Sequence, residues 1–197
     1  MAVALAAVFA ILNARREAVR MRAMGSLNQL RLSLANYESI NGLPPNREFR
    51  GAKGSPTLSW LAAVLPYVEQ RDVYDKLDLN SSWDSSENSM ALKIGKDYWT
   101  WFCKDGYFIC PLDDKLSIWD NETGLPRGTL SNNPTAIALI AIPIEGVHPL
   151  QPYVITMGEL KRLLKMNSAA VYIECSGHYD LISLVDDSVQ FERRQSQ

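Results

Sequence analysis

The chain opens with a run of apolar residues, Met1 to Leu12, that contains no polar side chain. From Asn13 to Asn41 the pattern changes. Ala23, Leu27, Leu30, Leu34 and Tyr37 recur at spacings of four and three, which lays one apolar stripe along a helical face. The segment has no proline and a single glycine, Gly25, and Asn41-Gly42 followed by Pro44-Pro45 supplies a stop. The pattern predicts one continuous helix of about 40 residues, about 60 Å long at roughly 1.5 Å per residue. It is apolar at its start, basic in its second quarter and amphipathic in its last half.

Beyond it the periodicities shorten. Leu58 to Gln70 reads as an apolar helix capped by Ser55 or Thr57 and kinked or ended at Pro66. Val73 to Leu79 is a brief amphipathic piece, residues 80–86 a polar loop, and Glu87 to Ile94 one or two helical turns. The later chain is richer in β-branched and aromatic residues. Strands are predicted at Tyr107–Cys110, Thr135–Ile142, Ala169–Glu174, Tyr179–Val185 and, after an Asp186-Asp187 turn, Ser188–Phe191. A short helix, Met157–Lys165, lies between strands, and Asp113–Asn133 and Glu145–Tyr153 read as surface loops. Helices followed by strands in irregular order give an α+β class with an antiparallel sheet rather than alternating βαβ units. The expected organisation is a spine helix over residues 1–42 and a globular α+β head over 43–197.

Charge separates the same two parts. The first 50 residues hold seven Arg against three Glu, net +4, leaving the remaining 147 with 13 basic and 19 acidic residues, net −6. The whole chain, at net −2, lacks the footprint of a nucleic-acid binder. The apolar start is too short to span a bilayer: eleven residues from Ala2 to Leu12 cover about 16 Å of the roughly 30 Å required. A signal peptide is disfavoured too, because Arg15, Arg16, Arg20 and Arg22 follow the apolar run instead of preceding it. A stretch this greasy is expected to leave water by entering a lipid surface or a bundle of sister helices.

Candidate chemistry is sparse. No nucleophile elbow, P-loop, H-E-x-x-H or G-x-G-x-x-G is present, and only two histidines occur, so no catalytic residue, cofactor or small-molecule substrate is assigned. Cys175 and His178 are the nearest approach to a nucleophile–base dyad. With Cys103 and Cys110 they would make four zinc-type ligands, but C-x₆-C is not a zinc-knuckle spacing. Asp113-Asp114 and Asp186-Asp187 lack the alternation of a calcium loop and read as solvated turns, and Asp72, Asp75 and Asp78 as a wet helix face. No metal site is assigned. Trp60, Tyr67, Tyr74, Trp83, Tyr98, Trp99 and Trp101 are expected to anchor core and loops rather than form a carbohydrate platform.

Five short patterns carry a resemblance: L-P-P at 43–45, S-W-x₅-P-Y-x-E-Q at 59–70, W-D-S-x-x-N at 83–88, C-P-x-D at 110–113 and D-x-S-V-x-F at 186–191. Together with A-R-R-E-A-V-R at 14–20, the chain resembles a large family of bacterial prepilin-like proteins known as a domain of unknown function. The resemblance implies the architecture of a type IV pilin or type II secretion pseudopilin. In that architecture a long N-terminal helix holds the protein at the inner membrane, and a head with an antiparallel sheet lies in the periplasm or outside the cell. It further implies a structural, non-enzymatic role, with other pilin-like subunits or secretion components as partners. The alternative is a soluble or surface-attached module that binds a ligand with its head loops. Where the family pattern has an early Cys this chain has Ala23, and where it has Gly in D-G-S this chain has Asp187. Loss of the early Cys alongside a new Cys103 raises a local Cys103–Cys110 disulfide, the alternative being three buried or unpaired thiols.

Overall fold

The computed structural model describes residues 2–102, 107–166 and 170–192; at 2–9, 12, 13, 15, 16 and 101 it describes the backbone alone. The chain is α+β, as the periodicities predict. Helix α1 runs unbroken from Ala2 to Asn41. Gly42 ends it at φ +84°, a conformation that costs a side chain dearly, and its N–H donates to the Glu38 carbonyl at 2.7 Å. The Asn41 carboxamide caps the same turn by donating to the Tyr37 carbonyl.

Along α1 the predicted stripe is the buried one. Leu27, Leu30 and Leu34 are 0% exposed, Ala23 and Met24 are buried with them, and Tyr37 packs at the margin of the core. The stripe lies against α2 (Leu61–Val64) and two strands, β5 (Ile137–Ile142) and β7 (Ala170–Glu174). These strands belong to a five-stranded antiparallel sheet completed by β3 (Phe108–Cys110), β8 (Tyr179–Val185) and β9 (Ser188–Phe191), in the order β3-β5-β7-β8-β9. All six residues of β5 are buried. An unbroken Ile-Ala-Leu-Ile-Ala-Ile run is what a strand covered on both faces requires. Helix α6 (Met157–Lys165) packs on β8 and β9; the Thr156 hydroxyl accepts from the Glu159 N–H at its start, and Leu160 and Leu163 point inward.

Several local expectations are corrected. The segment around Leu58 is not the start of a helix. Pro56–Ser59 is strand β2, paired antiparallel with β1 (Glu48–Arg50), and neither Ser55 nor Thr57 caps the next helix: the Thr57 hydroxyl donates to the Leu79 carbonyl, and α2 has Trp60 at its N-cap with no side-chain cap bond. Pro66 sits in a 3₁₀ turn, Leu65–Tyr67, that ends the helical stretch, followed by α3 (Arg71–Tyr74). After α4 (Ser89–Ile94), the aromatic Lys96–Phe102 is a helix, α5, where strand-like composition dominates the sequence. Gly95 makes the α4–α5 junction possible, because a Cβ there would lie 2.5 Å from the Trp99 ring. Finally, β4 (Leu112–Asp113) and β6 (Ile155–Thr156) form a small parallel pair through two residues, Leu112 and Ile155, that are fully buried.

The β8–β9 connection is the expected two-residue turn, with Asp186 at φ +46° and Asp187 at φ +61°. Positive φ at both central positions is the type I′ geometry that matches strand twist, a geometry that favours glycine at a position such as that of Asp187. Two ion pairs hold that residue, its carboxylate lying 2.6 Å from both Lys161 and Lys165 of α6.

Leu30→Ala is expected to cost about 2–5 kcal/mol of stability, because it opens a cavity between α1 and the sheet. Leu32→Ala, on the opposite face where Leu32 is 47% exposed, is expected to change stability by less than about 0.5 kcal/mol. Equilibrium urea unfolding of the two variants checks this contrast. Glu69, held at φ +61°, offers the opposite sign: Glu69→Gly is expected to raise the urea midpoint by the equivalent of up to about 1 kcal/mol.

Candidate functional site

The motif segments converge on a network that fixes irregular backbone. Asn88, the last residue of W-D-S-x-x-N, is 0% exposed and serves as the hub of the 78–82 loop. Its Oδ1 accepts from the Asp78 N–H at 2.8 Å, and its Nδ2 donates to the carbonyls of Asp78, Ser81 and Ser82 at 3.0–3.3 Å. A carboxamide suits this position because it offers both a donor and an acceptor to backbone groups that no strand or helix satisfies. At the head of the same motif, the Trp83 N–H donates to the Thr57 carbonyl, and its ring stacks on His148 with centroids 4.9 Å apart. Trp99 meets the same imidazole edge-on at 5.4 Å.

His148 is thereby held neutral. Its Nδ1 accepts from the Leu150 N–H, and burial among the two indoles lowers its pKa to about 4. The same stretch of backbone is tied again by Ser59, whose hydroxyl donates to the Pro149 carbonyl and whose N–H donates to the Leu150 carbonyl. The other patterns act similarly. In L-P-P the Pro45 carbonyl accepts from the Trp119 indole N–H at 2.8 Å. In C-P-x-D, Asp113 accepts from the buried Arg47 guanidinium, which also donates to the Asn121 carbonyl.

A cleft of about 160 Å³ opens where α1 ends, between Tyr37, Asn41, Leu43 and Phe49. Tyr37 meets Tyr67 edge-on at 5.9 Å, and its hydroxyl pKa is raised by burial and by the neighbouring Tyr67 and Tyr74. The predicted binding loops lie elsewhere and are internally braced. In Asp113–Asn133, Ser117 bridges to Ile137 and Trp119 to Pro126, while the Asp120 carboxylate accepts from the Glu122 and Thr123 N–H groups and the Thr123 hydroxyl.

Of the residues weighed for nucleophilic or metal chemistry, the two described cysteines, Cys110 and Cys175, are buried. Cys175 is 3% exposed, and its thiol is pushed up to about 12 by desolvation and then by the Glu38 charge, the opposite of an activated thiolate. Burial likewise pushes the Cys110 thiol up; Cys110 is buried and free, and its suggested partner Cys103 lies outside the described residues. Among the described residues no three His, Cys, Asp or Glu side chains are grouped to hold a metal ion. Asp114 accepts from the Leu116 N–H, and Asp187 takes the two lysines of α6. Of the aromatic anchors, Trp60 and Trp99 are buried and Trp83 is stacked; Trp101 lies outside the described side chains. Trp119, 0% exposed and 6.4 Å from Trp60, is not distinguished by its sequence context, a loop of Asp, Asn, Gly and Pro.

A family model described as a protein of unknown function, DUF1559 (SBP_bac_10), matches residues 13–139. The chain belongs to the DUF1559 family. The matched stretch runs from the second quarter of α1 into β5, and so takes in the Asn88 hub, Trp83 and the cleft at the end of α1. No curated protein and no solved structure matches the chain.

The His148 environment gives a pH dependence with a definite sign. A pKa that falls from about 6.5 in the unfolded chain to about 4 in the folded one makes a contribution fully present above pH 6.5, and progressively lost as pH falls towards 4. His148→Gln, which keeps an acceptor but cannot titrate there, is expected to flatten this part of the profile. Urea midpoints measured from pH 7 to pH 4 on both proteins check it, the difference between the curves isolating His148 from the carboxylates.

Proposed function

We propose that this DUF1559 chain is a non-enzymatic, membrane-tethered, pseudopilin-like structural subunit, with α1 as the tether and the α+β head on the extracytoplasmic side of a bacterial inner membrane. The observation that carries the reading is the division of one helix into two environments. From Ala23 to Tyr37 α1 is a layer of the head's core, whereas every described side chain from Ala10 to Ala18 is exposed, with Ile11 at 67%. A helix that continues for about six turns beyond its last core contact, and becomes wholly apolar as it does so, is built to meet something other than water.

Among the described residues no helix is long and apolar enough to cross a membrane. The apolar tip is therefore read as entering the lipid surface, or packing among the tips of sister subunits, with Arg20 and Arg22 at head-group depth. Assembly with pilin-like or type II secretion components fits a rod that transmits position rigidly from tip to head. The cleft at the end of α1, at about 160 Å³, is smaller than the roughly 300–1,000 Å³ of sites that enclose small molecules, and it is not lined by the head loops that the ligand-binding alternative invokes.

Expressed at full length in bacterial cells, the protein is expected to sediment with membranes and to be released by non-ionic detergent but not by high salt. Ile11→Asp, which places a charge on the exposed tip without touching the head, is expected to shift most of it to the soluble fraction with its head fold unchanged by circular dichroism. A wild-type chain that stays soluble and monodisperse without detergent would overturn the proposal.

A further inference from the structure

Two surface loops carry the tripeptide pattern Asn-x-Ser/Thr: Asn80-Ser81-Ser82 and Asn121-Glu122-Thr123. Both asparagines are exposed. They flank β1, the Asn80 carbonyl lying against Gly51 just past its end and the Asn121 carbonyl accepting from Arg47 just before its start. Both therefore adjoin the segment that leaves the far end of the 40-residue α1, on the part of the head remote from the apolar tip. This tripeptide is the acceptor pattern for N-linked glycosylation, which needs an accessible loop in a chain delivered outside the cytoplasm.

The structure distinguishes the two sites. A transferase must draw the asparagine and the residues around it into its own groove. Two residues before Asn121 stands Trp119, 0% exposed, packed on Trp60 and hydrogen-bonded to the Pro45 carbonyl, so that length of chain cannot be lifted without opening the core. Two residues before Asn80 stands Asp78, and no residue from Asp78 to Ser82 is buried. The apolar hold beside Asn80 is one half-buried side chain, Leu79, at the margin of the core; the other ties are polar: the four hydrogen bonds of Asn88, the Thr57 hydroxyl on the Leu79 carbonyl, and the Asp78 carboxylate accepting from Asn80 and Ser81. Such bonds exchange with water or with an enzyme's own groups, which an indole in a core cannot do.

We propose that Asn80 is an acceptor for an N-linked oligosaccharide supplied by a polyprenyl-pyrophosphate donor, and that Asn121, despite its matching tripeptide, is not modified on the folded chain. In the transfer Asn80 Nδ2 bonds to the anomeric carbon of the donor sugar while the bond from that carbon to the pyrophosphate oxygen breaks. The polyprenyl pyrophosphate leaves with the bonding pair, and one Nδ2 proton passes to a base of the transferase. The modification rests on the extracytoplasmic placement of the head, since it is there that such donors are presented. A glycan at this position would enlarge the face of the head farthest from the tether and leave the α1 stripe untouched.

The test uses the purified, folded full-length chain with a purified bacterial oligosaccharyltransferase and its polyprenyl-pyrophosphate-linked oligosaccharide, read by intact mass. One oligosaccharide is expected on the wild type and on N121Q, and none on N80Q. N88A, which frees the 78–82 loop, is expected to raise the initial rate severalfold. No added mass on the folded wild type, or an adduct that persists in N80Q, overturns the proposal. Placement of the head is read separately, by protease added to intact spheroplasts. A head protected there, with transfer to Asn80 still seen on the purified chain, overturns the extracytoplasmic reading and supports the acceptor assignment.

Discussion

Everything in the head is organised around the burial of one stripe of α1 against β5 and β7. Leu27, Leu30 and Leu34 lose all contact with water there, and at roughly 1.5–3 kcal/mol for each fully buried aliphatic side chain this contact is comparable to the whole net stability of an ordinary domain. It also licenses the sequence of the sheet. A strand reading Ile-Ala-Leu-Ile-Ala-Ile tolerates only an environment apolar on both faces, and α1 lies directly against it. The helix is thus a structural layer of the head as well as its projection. Polar ties at two further points, Arg31 to the Cys175 carbonyl and Glu38 to the Leu130 N–H, fix its rotation and axial position relative to the sheet.

The rest of the head is rich in irregular chain, and single buried residues do there what ladders do elsewhere. Asn88 satisfies four backbone groups of one loop, Trp119 pins the L-P-P segment through the Pro45 carbonyl, and His148 is clamped between two indoles while its Nδ1 accepts from Leu150. The short sequence patterns in these segments therefore have a common physical content. Several of them mark places where the backbone changes direction without regular hydrogen bonding, and there they supply a side chain or carbonyl that completes the pairing of donors and acceptors.

That content is visible only in part from the residues themselves. The long helix, its buried face and five strands are legible because their signals are local: spacings of three and four, β-branched runs, and turn residues between them. β1, β2, β4 and β6 are not, since each is two to four residues long and exists through its partner. Thr57 illustrates the difference, reading as a helix cap beside Leu58 but lying in a strand whose pairing with Glu48–Arg50 overrides the local preference. Helix α5 is hidden by its composition: Tyr98, Trp99 and Phe102 favour strands, and only the fit of Trp99 over Gly95, with its indole N–H on the Leu92 carbonyl, fixes them as helical. Asn88 and Trp119 sit in polar loops where nothing nearby in sequence marks them as buried. Their roles come from contacts up to 74 residues apart.

The turn at Asp187 can be weighed by the same logic. Asp187 occupies a left-handed position where glycine would be free of strain, and the aspartate tolerates it better than a β-branched residue because a short polar side chain fits the αL region. What the carboxylate gains is a pair of contacts to Lys161 and Lys165, which lower its pKa through hydrogen bonds and charge and tie the β8–β9 turn to α6. These groups are exposed, so solvent and salt screen the attraction and the gain in stability is small. The exchange is therefore one of geometry more than energy. In place of a glycine's freedom the aspartate supplies a cross-link between the edge of the sheet and the helix that covers it, without any demand on the α1 stripe that decides whether the fold exists.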